Sequence, residues 1–243
     1  MSEAPLNDIW VYLAASPLLW LTATLVCYLS AIRLYRFAGE NPLLNPVAIS
    51  VALLIGLLMI TRTPYQTYFN GAQFVHFLLG PATVALAIPL YRQRERLQAL
   101  ALPILVALPV GVLTAALSAI WLGTLCGADP ATLISLAPKS VTTPVAMGIS
   151  EKLGGIPSLT AILVVSTGIV GAVFGPGLLR LTGVRDDAVK GVAMGLSAHG
   201  IGTARSFQLS PVMGAFSGLA MALSALVTAL MLPGVLRLLG LAT

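Results

Sequence analysis

Charged side chains make up only 9% of this 243-residue sequence, against 58% hydrophobic. A soluble domain carries about a quarter charged residues, and without them a chain of this length cannot cover itself with polar surface. The charges present sit in short clusters between long uncharged runs, so lipid is the expected solvent. Cysteine is nearly absent: Cys27 and Cys126 are too few for a disulfide framework, lack metal-ligand spacing and read as apolar packing residues. No basic stretch precedes the first apolar run, which therefore reads as a retained helix and not a cleaved signal. Acidic residues are also few. Glu3, Asp8, Glu40, Glu95, Asp129, Glu151, Asp186 and Asp187 all fall at segment ends or in loops. A cation pump or Na⁺ symporter keeps a carboxylate where its ion binds, so that class lacks its usual ligand here. The net charge of +5 forms neither a long stripe nor a pattern interleaved with stacking aromatics, which argues against nucleic acid. No βαβ pattern surrounds the glycines, which excludes a nucleotide loop.

What remains is a set of long apolar runs, and a bilayer core about 30 Å thick needs roughly 20 such residues per helix. The expected fold is an all-α polytopic membrane protein, one transmembrane domain over residues 1–243. A first helix lies within 1–37, its apolar run Ile9 to Ile32 closed by Arg33 and Arg36. A second runs from Asn41 to Thr61, with Asn45 as cap and Pro46 in the first turn. The third, Thr63 to Tyr91, is broken near Gly80-Pro81, and the fourth, Leu97 to Ala128, contains Pro103 and Pro109. Pro130 to Ser150 holds two prolines around Lys139, whereas Leu153 to Leu179 is a clean span. Gly191 to Ala204 has four glycines and is too short to cross alone, so Ser197 to Arg205 is expected to unwind in part. Ser206 to Leu236 is the last span. Tyr65, Tyr68 and Phe69 read as an interfacial aromatic belt.

Orientation follows from Lys and Arg, whose excess marks cytoplasmic loops. If residues 130–152 form a re-entrant segment, the Arg180, Arg185, Lys190 loop joins Arg33, Arg36, Arg92, Arg94, Arg96 and Arg237 on one side. About seven transmembrane helices plus this re-entrant segment are then expected, with 41–121 and 153–243 as inverted repeats.

The stretches Pro138-Lys139-Ser140-Val141-Thr142-Thr143-Pro144, Gly154-Gly155-Ile156-Pro157, Gly171-Ala172-Val173-Phe174-Gly175 and His199-Gly200-Ile201-Gly202-Thr203-Ala204-Arg205 together resemble the LrgB/CidB family. The likeness extends over essentially the whole chain. It implies a multi-pass protein of the bacterial inner membrane, paired with a small holin-like partner of the LrgA/CidA type. Members have been described as antiholin-like regulators of murein hydrolase export and autolysis. A plastid relative is a glycolate/glycerate translocator, and bacterial relatives are tied to pyruvate.

The residues themselves bias that choice. Lys139, Arg205 and His199, joined by Ser140, Thr142, Thr143, Ser197 and Thr203 and by broken helices at Gly200 and Gly202, form a candidate substrate-binding set for a small carboxylate. Each member also has a plainer reading. Arg205 can snorkel to an interface, Lys139 can reach water from a re-entrant tip, and His199 can be a hydrogen-bonded core residue. The glycines can serve close helix approach, and the hydroxyls can bond to their own helix carbonyls. Ser217 and His199 suggest an intramembrane protease, but no carboxylate is available to orient the imidazole, and no enzyme is expected. Neither a cofactor nor a metal is expected. The leading expectation is transport of a small organic anion, with a holin-like regulator as the alternative, in either case with possible homo-oligomers.

Overall fold

In a computed structural model the described residues, 17–41 and 44–242, are helical, with no strand among them. The chain divides into two compact units at Ala85/Leu86. Four helices among the described residues are long and apolar enough to cross a bilayer, or five if Tyr65–Val75 and Gly80–Tyr91 count as one broken span.

The first unit holds α1 (Pro17–Phe37), α2 (Pro46–Ile60), α3 (Tyr65–Phe77) and α4 (Leu79–Ala85). Asn45 caps α2 as expected, its Oδ1 accepting from the amides of Val47 and Ala48. The helical path breaks at Leu78, between α3 and α4 and just before Gly80-Pro81. Of the aromatics read as an interfacial belt, Tyr65 is exposed and Tyr68 half-buried. The Tyr68 ring meets the buried Trp20 edge-on at 5.9 Å and its hydroxyl pairs with Thr24 at 3.1 Å, so it ties α3 to α1.

The second unit comprises α5 (Ala87–Tyr91), α6 (Arg94–Leu125), α7 (Pro130–Leu136), α8 (Thr143–Leu153), α9 (Pro157–Leu181), α10 (Asp187–Leu209) and α11 (Pro211–Leu238). Helix α6 runs through Pro103 and Pro109 without a break. Cys126 follows it as an exposed C-cap, not a packing residue. Ile104 and Leu108 of α6 cluster with Phe216 and Ala220 of α11, while Ala116 and Ile120 cluster with Leu232 and Leu236. The two helices therefore run parallel, and α9 runs the other way.

Helices α7 and α8 form a helical hairpin over the segment expected to be re-entrant. At a rise of 1.5 Å per residue neither reaches across about 30 Å of hydrocarbon. Ile134 and Ala137 share the cluster with Ala116 and Leu236, on which Ile149 and Leu153 also pack. The hairpin thus enters and leaves at the end of the bundle where α6 and α11 finish.

The α10 segment differs from expectation. It was expected to cross with Ser197–Arg205 partly unwound, but the helical path fails at one residue, His199 (φ 40°, ψ −131°). This conformation belongs to the first central residue of a type II′ turn, and the chain reverses there. Gly191 and Gly195, before the break, meet the backbone of Met213 and Ser217; after it, Thr203 again meets Ser217, and Phe207 meets Gly214. The return limb ends at Ser210, whose hydroxyl accepts from the Met213 amide and caps α11. No straight helix could place both Gly195 and Thr203 on Ser217. Helix α10 is therefore a second hairpin, entering from the end where α6 and α11 begin, and seven crossings no longer follow.

One further correction concerns Arg237. It lies at the finishing end of α11, opposite Arg180, Arg185, Arg92, Arg94 and Arg96, because α6 and α11 are parallel and Arg96 bonds to Asp186 at 2.6 Å. The starting end keeps the basic excess: these five and Lys190 outweigh Glu95, Asp186 and Asp187, whereas Lys152 and Arg237 only balance Asp129 and Glu151.

Candidate functional site

The two hairpins enter the second unit from opposite ends, and their tips meet midway along α6 and α11. Ala137, Pro138, Ser140 and Val141 of the first tip and Leu196 of the second line a small cavity, walled by Val112, Ala115 and Ala116 of α6 and by Thr228 of α11. Helix α9 carries both tips. The Val164 side chain packs on Val141, and its carbonyl oxygen is 2.9 Å from His199 Nε2. That contact requires Nε2 to be the protonated nitrogen, since a carbonyl only accepts.

Small residues make this approach possible. A Cβ built at Gly168 would lie 2.7 Å from the His199 ring, one at Gly171 2.5 Å from Ala198, and one at Gly175 2.6 Å from Met194. The glycines of α9 thus form a track for the entering limb of α10. Gly202 does the same inside the hairpin, against Ala198 and Met194.

The candidate residues separate into two groups. Lys139, Ser140, Thr142 and Thr143 sit together in the α7–α8 tip, all half-buried. Lys139 has no carboxylate within ion-pair distance among the described residues. Thr142 is the N-cap of α8 but its side chain makes no cap bond, so the first-turn amides face the tip without that partner. His199 and Thr203 are buried in the second hairpin, while Ser197 and Gly200 are exposed at its tip. Ser197 bonds to its own helix carbonyl at Ala193 and Thr203 to that of His199. Arg205 lies on the return limb, within two turns of its end, and bonds to Gln208 at 2.9 Å. It is therefore not brought to the tips.

His199 and Ser217 do not pair: Ser217 bonds to Thr203 at 2.9 Å, and the imidazole bonds to Val164. No metal-like group of His, Cys, Asp or Glu gathers among the described residues. Sequence reasoning missed a second hydroxyl pair, Ser150 and Thr160, 2.8 Å apart and fully buried, which joins α8 to α9. Ser135 belongs with them, accepting from the Ile156 amide at 2.7 Å. Buried hydroxyls in otherwise apolar runs were the available signal.

Comparison with known proteins places the chain in a family. The chain is 39% identical over 210 residues to the protein YwbG of Bacillus subtilis (strain 168), covering 84% of this chain and 91% of the relative. It is 33% identical over 199 residues to a Haemophilus influenzae protein, covering 82% and 86%. To the Holin-like protein CidB of Staphylococcus aureus (strain N315) it is 30% identical over 216 residues, covering 89% and 94%. No solved structure is similar. With residues 24–238 matching its pattern, this membrane protein belongs to the LrgB-like family.

Proposed function

We propose that this chain moves a small organic anion, a monocarboxylate of the pyruvate, glycolate or glycerate kind, across the bacterial inner membrane as a multi-pass carrier. The observation that carries the reading is the meeting of two opposed hairpin tips in mid-bundle, with Lys139 and the α8 N-terminus at one of them. Half-helix N-termini favour negative charge, and broken helices at the midplane are how carriers build such sites. The five acidic residues of the second unit stand at its two ends, so no carboxylate competes with an incoming anion. Ser140, Thr142 and Thr143 complete the first half of the site, and Ser197, His199, Gly200, Gly202 and Thr203 shape the second tip. Arg205 acts from the return limb, as a charge on the way in.

A second reading follows the name of the Staphylococcus aureus relative, Holin-like protein CidB. On it the chain, with a small partner of the LrgA/CidA type or as a homo-oligomer, controls murein hydrolase release. Uptake of labelled pyruvate, glycolate and glycerate into proteoliposomes, with and without the co-purified partner, tests the two. Saturable uptake lost in Lys139→Gln supports the carrier. Absence of uptake for all three, with and without the partner, favours the regulator.

A further inference from the structure

The second unit contains the same plan twice, in opposite directions. Asp129 caps the first hairpin by accepting from the Thr132 amide, and Asp186 caps the second by accepting from the Ala188 amide, each at 2.7 Å. A broken hairpin follows each cap, and then a long helix with proline in its first turn, α9 or α11. The sequence keeps the trace. Pro176-Gly177-Leu178-Leu179-Arg180-Leu181 near the end of α9 returns as Pro233-Gly234-Val235-Leu236-Arg237-Leu238 in α11, and each run is followed by a glycine of positive φ, Gly183 and Gly240.

One spacing separates all the equivalent residues: Asp129 and Asp186, Pro176 and Pro233, Arg180 and Arg237, Gly183 and Gly240. The same spacing maps Thr142, where α8 starts, onto His199, where α10 reverses. It maps Ser140 onto Ser197 at the two tips, and Thr160 onto Ser217. Thr160 and Ser217 are the two buried hydroxyls through which α9 and α11 each hold the return limb of the preceding hairpin, by Ser150 and by Thr203.

We infer that Asp129–Gly183 and Asp186–Gly240 are inverted halves of one duplicated unit, and that their hairpins are paired gates to a shared central site. This division replaces the pairing of 41–121 with 153–243, whose first member straddles the boundary between the two compact units. The first hairpin closes the end of the bundle that holds Arg237, and the second closes the end that holds Arg185. Each gate opens by parting its return limb from the helix that follows. Hydroxyl pairs hold those seams, with the Phe207 ring on Gly214 beside the second, and no ion pair crosses them among the described residues, so parting separates no charge. The inference deepens the carrier reading and rests on it for the cargo, a small anion, but not for the motion.

Cysteine locks test it in the full chain with Cys27→Ala and Cys126→Ala, reconstituted in vesicles. One lock pairs Ser150→Cys with Thr160→Cys, the other Thr203→Cys with Ser217→Cys, and the reporter is Ser140→Cys or Ser197→Cys, labelled with an impermeant maleimide from either side. Without a lock each reporter should react from both sides. Oxidising the first lock should leave reaction only from the Arg185 side, oxidising the second only from the Arg237 side, and reduction should restore both. Unlocked reporters that react from one side alone, or labelling unchanged by both locks, would overturn the gates. Uptake separates the two ideas. Side-switching labelling, with no uptake of any of the three anions by the Cys27→Ala, Cys126→Ala chain that keeps Ser140, Ser197 and Thr203, sinks the carrier and keeps the gates, whereas uptake that survives oxidation of the Ser150/Thr160 lock without a reporter sinks the gates and keeps the carrier.

Discussion

His199 Nε2 is 2.9 Å from the carbonyl oxygen of Val164, and this bond holds a histidine at φ 40°. A non-glycine residue there stores about 1–3 kcal/mol of strain, while a neutral hydrogen bond contributes about 0.5–1.5 kcal/mol net. The two terms nearly cancel in His199→Gly, which should keep its melting temperature within a few degrees. His199→Ala keeps the strain and loses the bond, and should melt lower than His199→Gly. Thermal unfolding in detergent checks the order, and the reverse order would mean that the strain at φ 40° is smaller than the conformational entropy that glycine adds to the unfolded chain.

Gly195 and Gly200 give a sharper contrast. A Cβ at Gly195 would overlap the Ser217 backbone, which cannot move aside, whereas at Gly200 the nearest atom is Met221 Sδ at 3.8 Å. Gly195→Ala should therefore cost about 1–3 kcal/mol as overpacking, and Gly200→Ala should be neutral or slightly stabilising. Equal stability of the two variants would refute the close packing of α10 on α11.

Much of this fold was legible because membrane solvation writes coarse signals. The Asn45 cap, the prolines around Lys139 and the uncharged runs each gave an element in the right place. The α10 hairpin was not legible. Four glycines suggested diffuse unwinding, but three of them serve helix contact, and the reversal falls on the one residue, His199, whose type argues against it. Arg205 was grouped with Lys139 because both are cations in apolar runs, and only the fold-back shows that the two point to different depths. The orientation of Arg237 failed for the same reason, since turning one crossing into a hairpin reverses everything after it.

The topology is open to a direct measurement. Arg185→Cys and Arg237→Cys, in the background without Cys27 and Cys126, should label from opposite sides of the membrane. From the basic excess, Arg185 is expected to label from the cytoplasmic side. Labelling of both from one side would restore a crossing α10.

Asp186 links stability to acidity. Burial would raise its carboxyl, but the backbone amide of Val189, the Arg96 guanidinium and the amide of Ala188 together outweigh it and hold the group below its usual range. A carboxylate lowered in the folded state stabilises above its ordinary pKa, near 4, and that contribution is lost as pH falls through the lowered value. Asp186→Asn should keep the cap and flatten this acid-side dependence. Asp186→Ala should also lose the cap, at about 1 kcal/mol. Arg96→Ala should cost less than about 1 kcal/mol, because the pair is exposed. Melting curves across pH 3 to 7 read all three.

The seams of the two hairpins mature at different moments of synthesis. The first hairpin is held by α9, which follows it immediately, and its clusters are finished by Leu232 and Leu236 of α11. The second hairpin is held at its turn by α9, through Val164 and Gly168, but its return limb closes on α11 at Ser217 and Gly214. Until those residues leave the ribosome, the return limb after His199 lacks the contacts at Ser217 and Gly214 that seat it. The last helix is thus the keystone of both gates, and a chain stopped before Pro211 would insert its spans yet leave its centre unassembled.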